Sequence, residues 1–208
     1  MEPNADIPSP IDLTDPEQAR RWVADTIRLR PYRFDFLRAF QEYLRQKTQE
    51  PIQVLELGSG PGHLAAHLLS NQPYIERYVL FDFSDAMHDM ARGNLGEWTK
   101  KLQYVTADFR LPDALACLGT FDIIVTMQAV HELRHKRHAI GLYRQVIKTL
   151  KPSGHFLVCD HIARDLTAKN DGLFMTREEQ HSTLEAAGFG RIGKLLDLEG
   201  MTLHSAQR

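Results

Sequence analysis

Between Val54 and Leu64 an apolar run ends in an acid, passes through glycines spaced two apart and resumes an apolar pattern: Val54-Leu55-Glu56-Leu57-Gly58-Ser59-Gly60-Pro61-Gly62-His63-Leu64. These residue types suit a strand, a tight turn and a helix start. Glycine at 58, 60 and 62 permits positive φ and lets a ligand lie against bare backbone, with Ser59 inside the same turn. A helix opening near Gly62 presents N–H donors and partial positive charge to an anionic group. A dinucleotide turn carries its third glycine one position later, where this chain has His63. The spacing therefore favours a phosphate-free nucleoside with a charged tail over a nicotinamide dinucleotide. Asp82 also follows an apolar run, in Leu80-Phe81-Asp82-Phe83-Ser84, and an aspartate at a strand end can accept from both hydroxyls of a ribose.

A different chemistry is offered by His131-Glu132-Leu133-Arg134-His135, which matches HExxH. In zinc hydrolases the two histidines of that motif share a helix face and bind the metal, and the glutamate is the general base. The extended form needs glycine at 138 and histidine at 141, and this chain has His138 and Gly141. The motif also follows directly on an apolar strand rather than lying within a long amphipathic helix.

The elements that must position these residues follow from periodicity. Residues 1–14 read as a loose tail, closed by Thr14 or Asp15 as a helix cap with Pro16 in the first turn. Trp22, Val23 and Ile27 recur at helical spacing; Pro31 interrupts, and Leu37, Phe40 and Leu44 resume it to about residue 48. From Ile52 strands and helices alternate. Strands are expected over 52–57, 77–82, 102–106, 121–127, 154–160, 189–196 and 201–206, with helices over 62–70, 84–95, 110–118, 137–150 and 176–187. Pro152-Ser153-Gly154 reads as a sharp stop before the fifth strand, and Gly188 as the end of the last helix. The alternation argues for an α/β fold with a mostly parallel sheet and helices on both faces. The connection at Glu199-Gly200 is too short for a parallel crossover, so the last two strands form an antiparallel hairpin.

From about residue 52 to 206, including Leu150-Lys151-Pro152-Ser153-Gly154-His155 and Ala186-Ala187-Gly188-Phe189, the chain resembles the class I S-adenosylmethionine-dependent methyltransferases, small single-domain members among them. The resemblance implies a Rossmann-like sheet of seven strands. It implies that the cofactor, S-adenosylmethionine, with S-adenosylhomocysteine as product, is held by Glu56, Gly58, Ser59, Gly60, Gly62, Asp82, Phe83, Met87, Asp108, Phe109 and Met127. Asp108 would accept from the adenine amine, with Phe83, Met87 and Phe109 at the ring. Two units are expected: 1–50, a tail and two lid helices, and 51–208, the cofactor-binding domain. Tyr32 and Arg33 near the helix break, with Gln128, His131 and Glu132 after the fourth strand, are the expected substrate residues. His131 and His161 are the candidate bases for an oxygen nucleophile, while an amine needs none. The segment between Asp160 and Thr176, with Arg164, Asp165, Lys169 and Asp171, is short and polar, so a large lid is not expected there.

Composition bounds the partners. The chain has 208 residues and a net charge of −2, which gives no global attraction to nucleic acid or anionic membranes. Nucleic-acid amine methyltransferases carry an Asn/Asp-Pro-Pro-aromatic run after the fourth strand, where this chain has Met127-Gln128-Ala129-Val130. Two cysteines, Cys117 and Cys159, make no disulfide framework, and Met1–Pro10 lacks the regions of a signal peptide. The expectation is a cytoplasmic monomer or homodimer that methylates an O or N nucleophile of a small molecule, with no metal and no membrane or nucleic-acid partner. Two alternatives stand beside it: a zinc-dependent hydrolase using residues 131–135, and a cofactor-binding protein without transferase activity.

Overall fold

A computed structural model describes residues 5–47, 50–163 and 172–208. They form two compact units, Ile11–Asp108 on one side and residues 5–10 with Phe109–Arg208 on the other.

In the first unit, Asp15 caps α1 (Pro16–Leu29) by accepting from the backbone N–H groups of Glu17 and Gln18, with proline at the start of the helix. α2 (Arg33–Lys47) buries Phe36, Leu37, Phe40 and Leu44, one apolar stripe at helical spacing. β1 (Ile52–Leu57), α3 (His63–Asn71), β2 (Ile75–Asp82), α4 (Asp85–Asn94) and β3 (Leu102–Thr106) then alternate. β1 pairs with β2 in parallel (Val54 opposite Tyr78, Glu56 opposite Leu80), and β2 pairs with β3 in parallel (Leu80 opposite Tyr104). Val54, Leu55, Leu57, Val79, Leu80 and Phe81 are fully buried, which is why these strands read as continuous apolar runs rather than alternating ones.

In the second unit, β4 (Phe121–Met127) and β5 (Leu150–His161) pair in parallel, joined through α5 (Ala139–Thr149). After α6 (Arg177–Ala187), capped by Thr176 with Glu179 in a reciprocal capping box, β6 (Gly190–Leu198) and β7 (Met201–Gln207) form the expected antiparallel hairpin. Glu199 and Gly200 both have positive φ (49° and 76°), the conformation a two-residue hairpin turn requires. The seven strands follow the order β3-β2-β1-β4-β5-β7-β6. Phe156 meets Tyr143 edge-on (5.5 Å) and stacks on Phe189 (5.7 Å), knitting α5 and the start of the hairpin onto β5.

Three expectations need correction. Residues 110–118 form consecutive turns rather than a helix, because Pro112 removes a donor and Asp113 takes a left-handed φ of 56°. Pro152-Ser153-Gly154 is not a stop: β5 starts at Leu150 and runs through it, with a register shift against β4 between Phe121 and Ile123. A Cβ on Gly154 would lie 2.9 Å from the Lys151 carbonyl oxygen, so the irregularity itself selects glycine. The expected helix 137–150 opens as a 3-10 turn over Lys136–His138 before α5. Arg164, Asp165, Lys169 and Asp171, and the expected end of the second helix near residue 48, lie outside the described residues. No helix among the described residues is long and apolar enough to cross a membrane.

Candidate functional site

The first unit presents the glycine turn. Gly58, Gly60 and Gly62 have φ of 66°, 52° and 80°, a run of left-handed conformations that other residues adopt only under strain. The turn is tied to β2, since the N–H groups of Gly58 and Ser59 both donate to the Phe81 carbonyl (2.8 and 3.1 Å). Asp82, buried at the end of β2, accepts from Gly60 N–H at Oδ2 (2.8 Å) and from Ser84 N–H at Oδ1 (2.9 Å). Ser84 caps α4, its Oγ accepting from Met87 N–H.

The glycines serve different purposes. A Cβ on Gly60 would meet nothing within 4 Å, which leaves room over the backbone for a ligand. A Cβ on Gly62 would stand 2.7 Å from Leu95 Cδ1 and 3.3 Å from Ala91 Cβ. Packing against the end of α4 therefore by itself requires glycine at position 62. Ser59 Oγ is buried inside the turn without a hydrogen-bond partner, a group that a polar ligand would satisfy.

Glu56, at 2% exposure, lies one residue before the end of β1, and its Oε2 accepts from Tyr78 Oη at 2.7 Å. Burial pushes its carboxyl up to about 8; the Tyr78 hydrogen bond works against the rise, the Asp82 charge adds to it, and Arg33 works against it. Arg33, the first residue of α2, and Tyr32 before it are half-buried. His63 is held below its ordinary value by burial and then by the Arg33 charge. Phe83 and Asp108 are half-buried and Met87 is buried.

The second unit gathers titratable groups after β4. Met127 ends that strand and is buried, as is Phe109 in the turns before it. Gln128 takes a left-handed φ of 58° with its N–H on the Cys159 carbonyl (2.8 Å). Val130–Leu133 is a 3-10 turn, and it delivers His131 to the end of β5. There Asp160 clamps the histidine twice: Oδ2 accepts from His131 N–H (2.9 Å), and Oδ1 faces ring Nδ1 at 2.7 Å. The carboxylate places the proton on Nδ1 and leaves Nε2 as the basic nitrogen. Burial lowers the His131 pKa, but the charge and hydrogen bond of Asp160, with the charge of Glu132, outweigh it and leave the ring above its ordinary value. Asp160 is driven down by the same pair, and by His161, against its own burial.

His131, His161 and Phe174 form a triangle of rings with centroids 5.6–5.7 Å apart. The Gln128 amide nitrogen lies 2.8 Å from His161 Nε2, so that ring nitrogen is engaged as an acceptor. Glu132 Oε1 lies 3.5 Å from His131 Nε2, and its Oε2 meets Arg134 at 3.3 Å. Arg134 in turn grips residues from the start of the chain, donating to the Ile7 and Pro8 carbonyls (2.8 and 2.9 Å) while its own carbonyl accepts from Ile7 N–H (2.9 Å).

The HExxH match dissolves at this level. Arg134 has a φ of 65°, so His131 and His135 do not share an α-helical face, and His135 Nδ1 accepts from Arg137 N–H. Among the described residues no group of three or more histidine, cysteine or acidic side chains is arranged to hold a metal ion. Asp160 and Phe174 were missed in the sequence. Asp160 stands near the end of a strand, as Asp82 and Asp108 do at theirs, and the same rule would have found it. Phe174 carries no local signal, because its role comes from the rings it meets.

Strand order, the glycine turn with its bracing aspartate and the acids Glu56, Asp82, Asp108 and Asp160 near the ends of β1, β2, β3 and β5 together define a Rossmann-like α/β protein of the methyltransferase class. The chain belongs to the methyltransferase domain family, whose model matches residues 29–198. It is 32% identical over 115 residues to the uncharacterized methyltransferase YcgJ of Bacillus subtilis (strain 168), covering 53% of this chain and 41% of YcgJ. Its fold is similar to that of an O-methyltransferase family protein from Burkholderia thailandensis (TM-score 0.74, 16% identity, 93% of this chain and 60% of that one). It is also similar to human N-acetylserotonin methyltransferase, solved in complex with SAM (TM-score 0.61, 20% identity, 83% of this chain and 55% of that one). The chain spans less than half the length of the curated relatives it matches first.

Proposed function

We propose that this chain transfers a methyl group from S-adenosylmethionine to a hydroxyl oxygen of a small molecule, with His131 as the base. The observation that carries the reading is the doubly clamped His131–Asp160 pair, whose Nε2 stays basic.

The cofactor fits the first unit's own chemistry. Asp82 stands at the end of β2 against the glycine turn and serves the ribose hydroxyls, Gly60 leaves the backbone open, and Ser59 Oγ is a buried polar group in want of a partner. Gly58 and Gly62 shape the turn, Glu56 and Arg33 answer the ammonium and carboxylate of the methionine tail, and Asp108 with Phe83, Met87 and Phe109 serves the adenine. When bound, the cofactor supplies a methyl carbon already activated by its sulfonium, so the protein's work is to orient the acceptor, exclude water and take a proton. Asp160 fixes the ring of His131 and stabilises its charge once it is protonated, the division of labour used wherever a carboxylate orients a histidine base. Met127, Gln128, His161 and Phe174 shape the acceptor pocket. Glu132 is the acidic group beside the base, and Tyr32 and the two amino-terminal helices cover the cofactor. The expected setting is the cytoplasm, in keeping with two cysteines that are both free thiols.

Calorimetric titration with S-adenosylhomocysteine, with NAD as control, tests the cofactor; an acceptor screen read by mass spectrometry of the methylated product and of S-adenosylhomocysteine formed tests the transfer. Micromolar binding of the first ligand alone is expected, followed by turnover of an acidic hydroxyl that is lost in His131→Ala. Failure to bind sinks the whole reading. Binding with turnover of amines only, unaffected by His131→Ala, sinks the assignment of oxygen and base.

A further inference from the structure

Glu56 is an anomaly that cofactor binding alone does not explain. It is a carboxyl at 2% exposure whose hydrogen bond comes from a neutral phenol, that of Tyr78, which is itself fully buried. Of the charged groups that act on it, Asp82 on β2 repels an ionised carboxylate, and Arg33 at the start of α2 favours one. The cation's influence is smaller than the cost of burial, so the empty site favours the neutral acid. Tyr78 cannot share the charge, because burial and the neighbouring Glu56 drive its own ionisation far upward.

Resting on the cofactor reading above, we propose that Glu56 and Tyr78 form a proton-exchanging seat for the methyl donor: the carboxyl holds its proton in the empty site and releases it to solvent when the donor's ammonium arrives. The carboxyl O–H bond breaks, the proton passes to water or buffer, and the carboxylate left behind becomes the counter-ion of the ammonium. Tyr78 is a positioning residue in this exchange. Its hydroxyl stabilises the carboxylate through one oxygen, Oε2, and leaves Oε1 to the ligand. A carboxyl titrating near 8 is almost fully protonated below neutrality, so donor capture below that point works against a proton.

The test is titration of the full chain with S-adenosylhomocysteine at pH 7 in phosphate and in Tris, whose ionisation heats differ, repeated from pH 5.5 to 8.5. Roughly 0.9 proton per site is expected to be released at pH 7. The Kd should fall about tenfold per pH unit at the acid end and level off above about pH 8. Glu56→Gln should bind more weakly, with no proton release from this group and a flat acid limb. Tyr78→Phe should still bind and release a proton, but with the levelling-off displaced upward in pH, because its hydrogen bond no longer favours the carboxylate. A purely structural tyrosine would change the plateau affinity and leave the midpoint in place. Equal apparent heats in the two buffers with a pH-independent Kd in the parent protein would overturn the proposal. Absence of binding at every pH would instead overturn the cofactor assignment.

Discussion

In the proposed reaction His131 acts only while its ring is neutral, and Asp160 makes that harder by favouring the protonated form. The sign is fixed by geometry: a carboxylate 2.7 Å from Nδ1 raises the imidazole pKa despite burial. The rate of an oxygen-directed transfer should therefore rise with pH through a midpoint above the ordinary histidine value of about 6.5. Asp160→Asn should move that midpoint down and lower kcat, on the order of a hundredfold, since the ring loses its tautomer as well as its counter-charge. An unchanged pH–rate profile in that variant would separate Asp160 from the chemistry. Asp82 belongs to the same scale, because its two oxygens already brace Gly60 and Ser84. Asp82→Ala is expected to weaken S-adenosylhomocysteine binding by about 1–3 kcal/mol, the cost of unsatisfied partners, as read by calorimetry on the folded variant.

At the scale of elements, the glycine turn separates packing from binding. Gly62 has a φ of 80° and a Cβ position 2.7 Å from Leu95, so Gly62→Ala should lose roughly 2–4 kcal/mol of stability, visible as a lower Tm. Gly60 faces open space, and Gly60→Ala should cost roughly 1 kcal/mol of stability while its methyl group intrudes on the ligand and weakens binding. If both variants lost stability equally and binding not at all, the turn would be structural only. The amino-terminal segment is the other informative element. Ile7 and Pro8 satisfy the buried guanidinium of Arg134, so removing residues 1–8 should cost about 1–3 kcal/mol in a thermal melt. Asp6→Ala, which touches only the exposed Arg137 and His138 contacts, should leave the melt nearly unchanged.

For the whole molecule, ligand binding and stability are linked by mass action. S-adenosylhomocysteine at a hundred times its Kd should stabilise the folded chain by about 2.7 kcal/mol, a rise of roughly 5–10 °C in Tm for a domain of this size. NAD at the same concentration should leave Tm in place. Because the proposed cofactor residues from Glu56 to Asp108 lie in one unit and the His131–Asp160 pair in the other, the two measurements divide the proposed function. His131→Ala should retain the full ligand-induced rise in Tm and lose turnover. A lost rise in that variant would show that the two sets of residues are not separable.

The amino-acid sequence by itself determined the alternation of strands and helices, the glycine turn and the closing hairpin. Each of these is encoded by neighbours within a dozen residues: burial on both faces gives continuous apolar strands, and a left-handed turn demands glycine. Local pattern failed where local rules conflict, at 110–118, where Pro112 and Asp113 break a helical periodicity, and at Pro152-Ser153-Gly154, where a stop signal is absorbed as an irregularity in β5. Only the tertiary structure decided which histidine a buried carboxylate clamps. His131 and Asp160 are 29 positions apart, and the clamp exists because the turn after β4 meets the end of the neighbouring strand β5. The same holds for Tyr78 beneath Glu56, 22 positions apart and joined only by the pairing of β1 with β2. Pairing across strands sets the electrostatics of these groups, and periodicity along the chain carries no record of it.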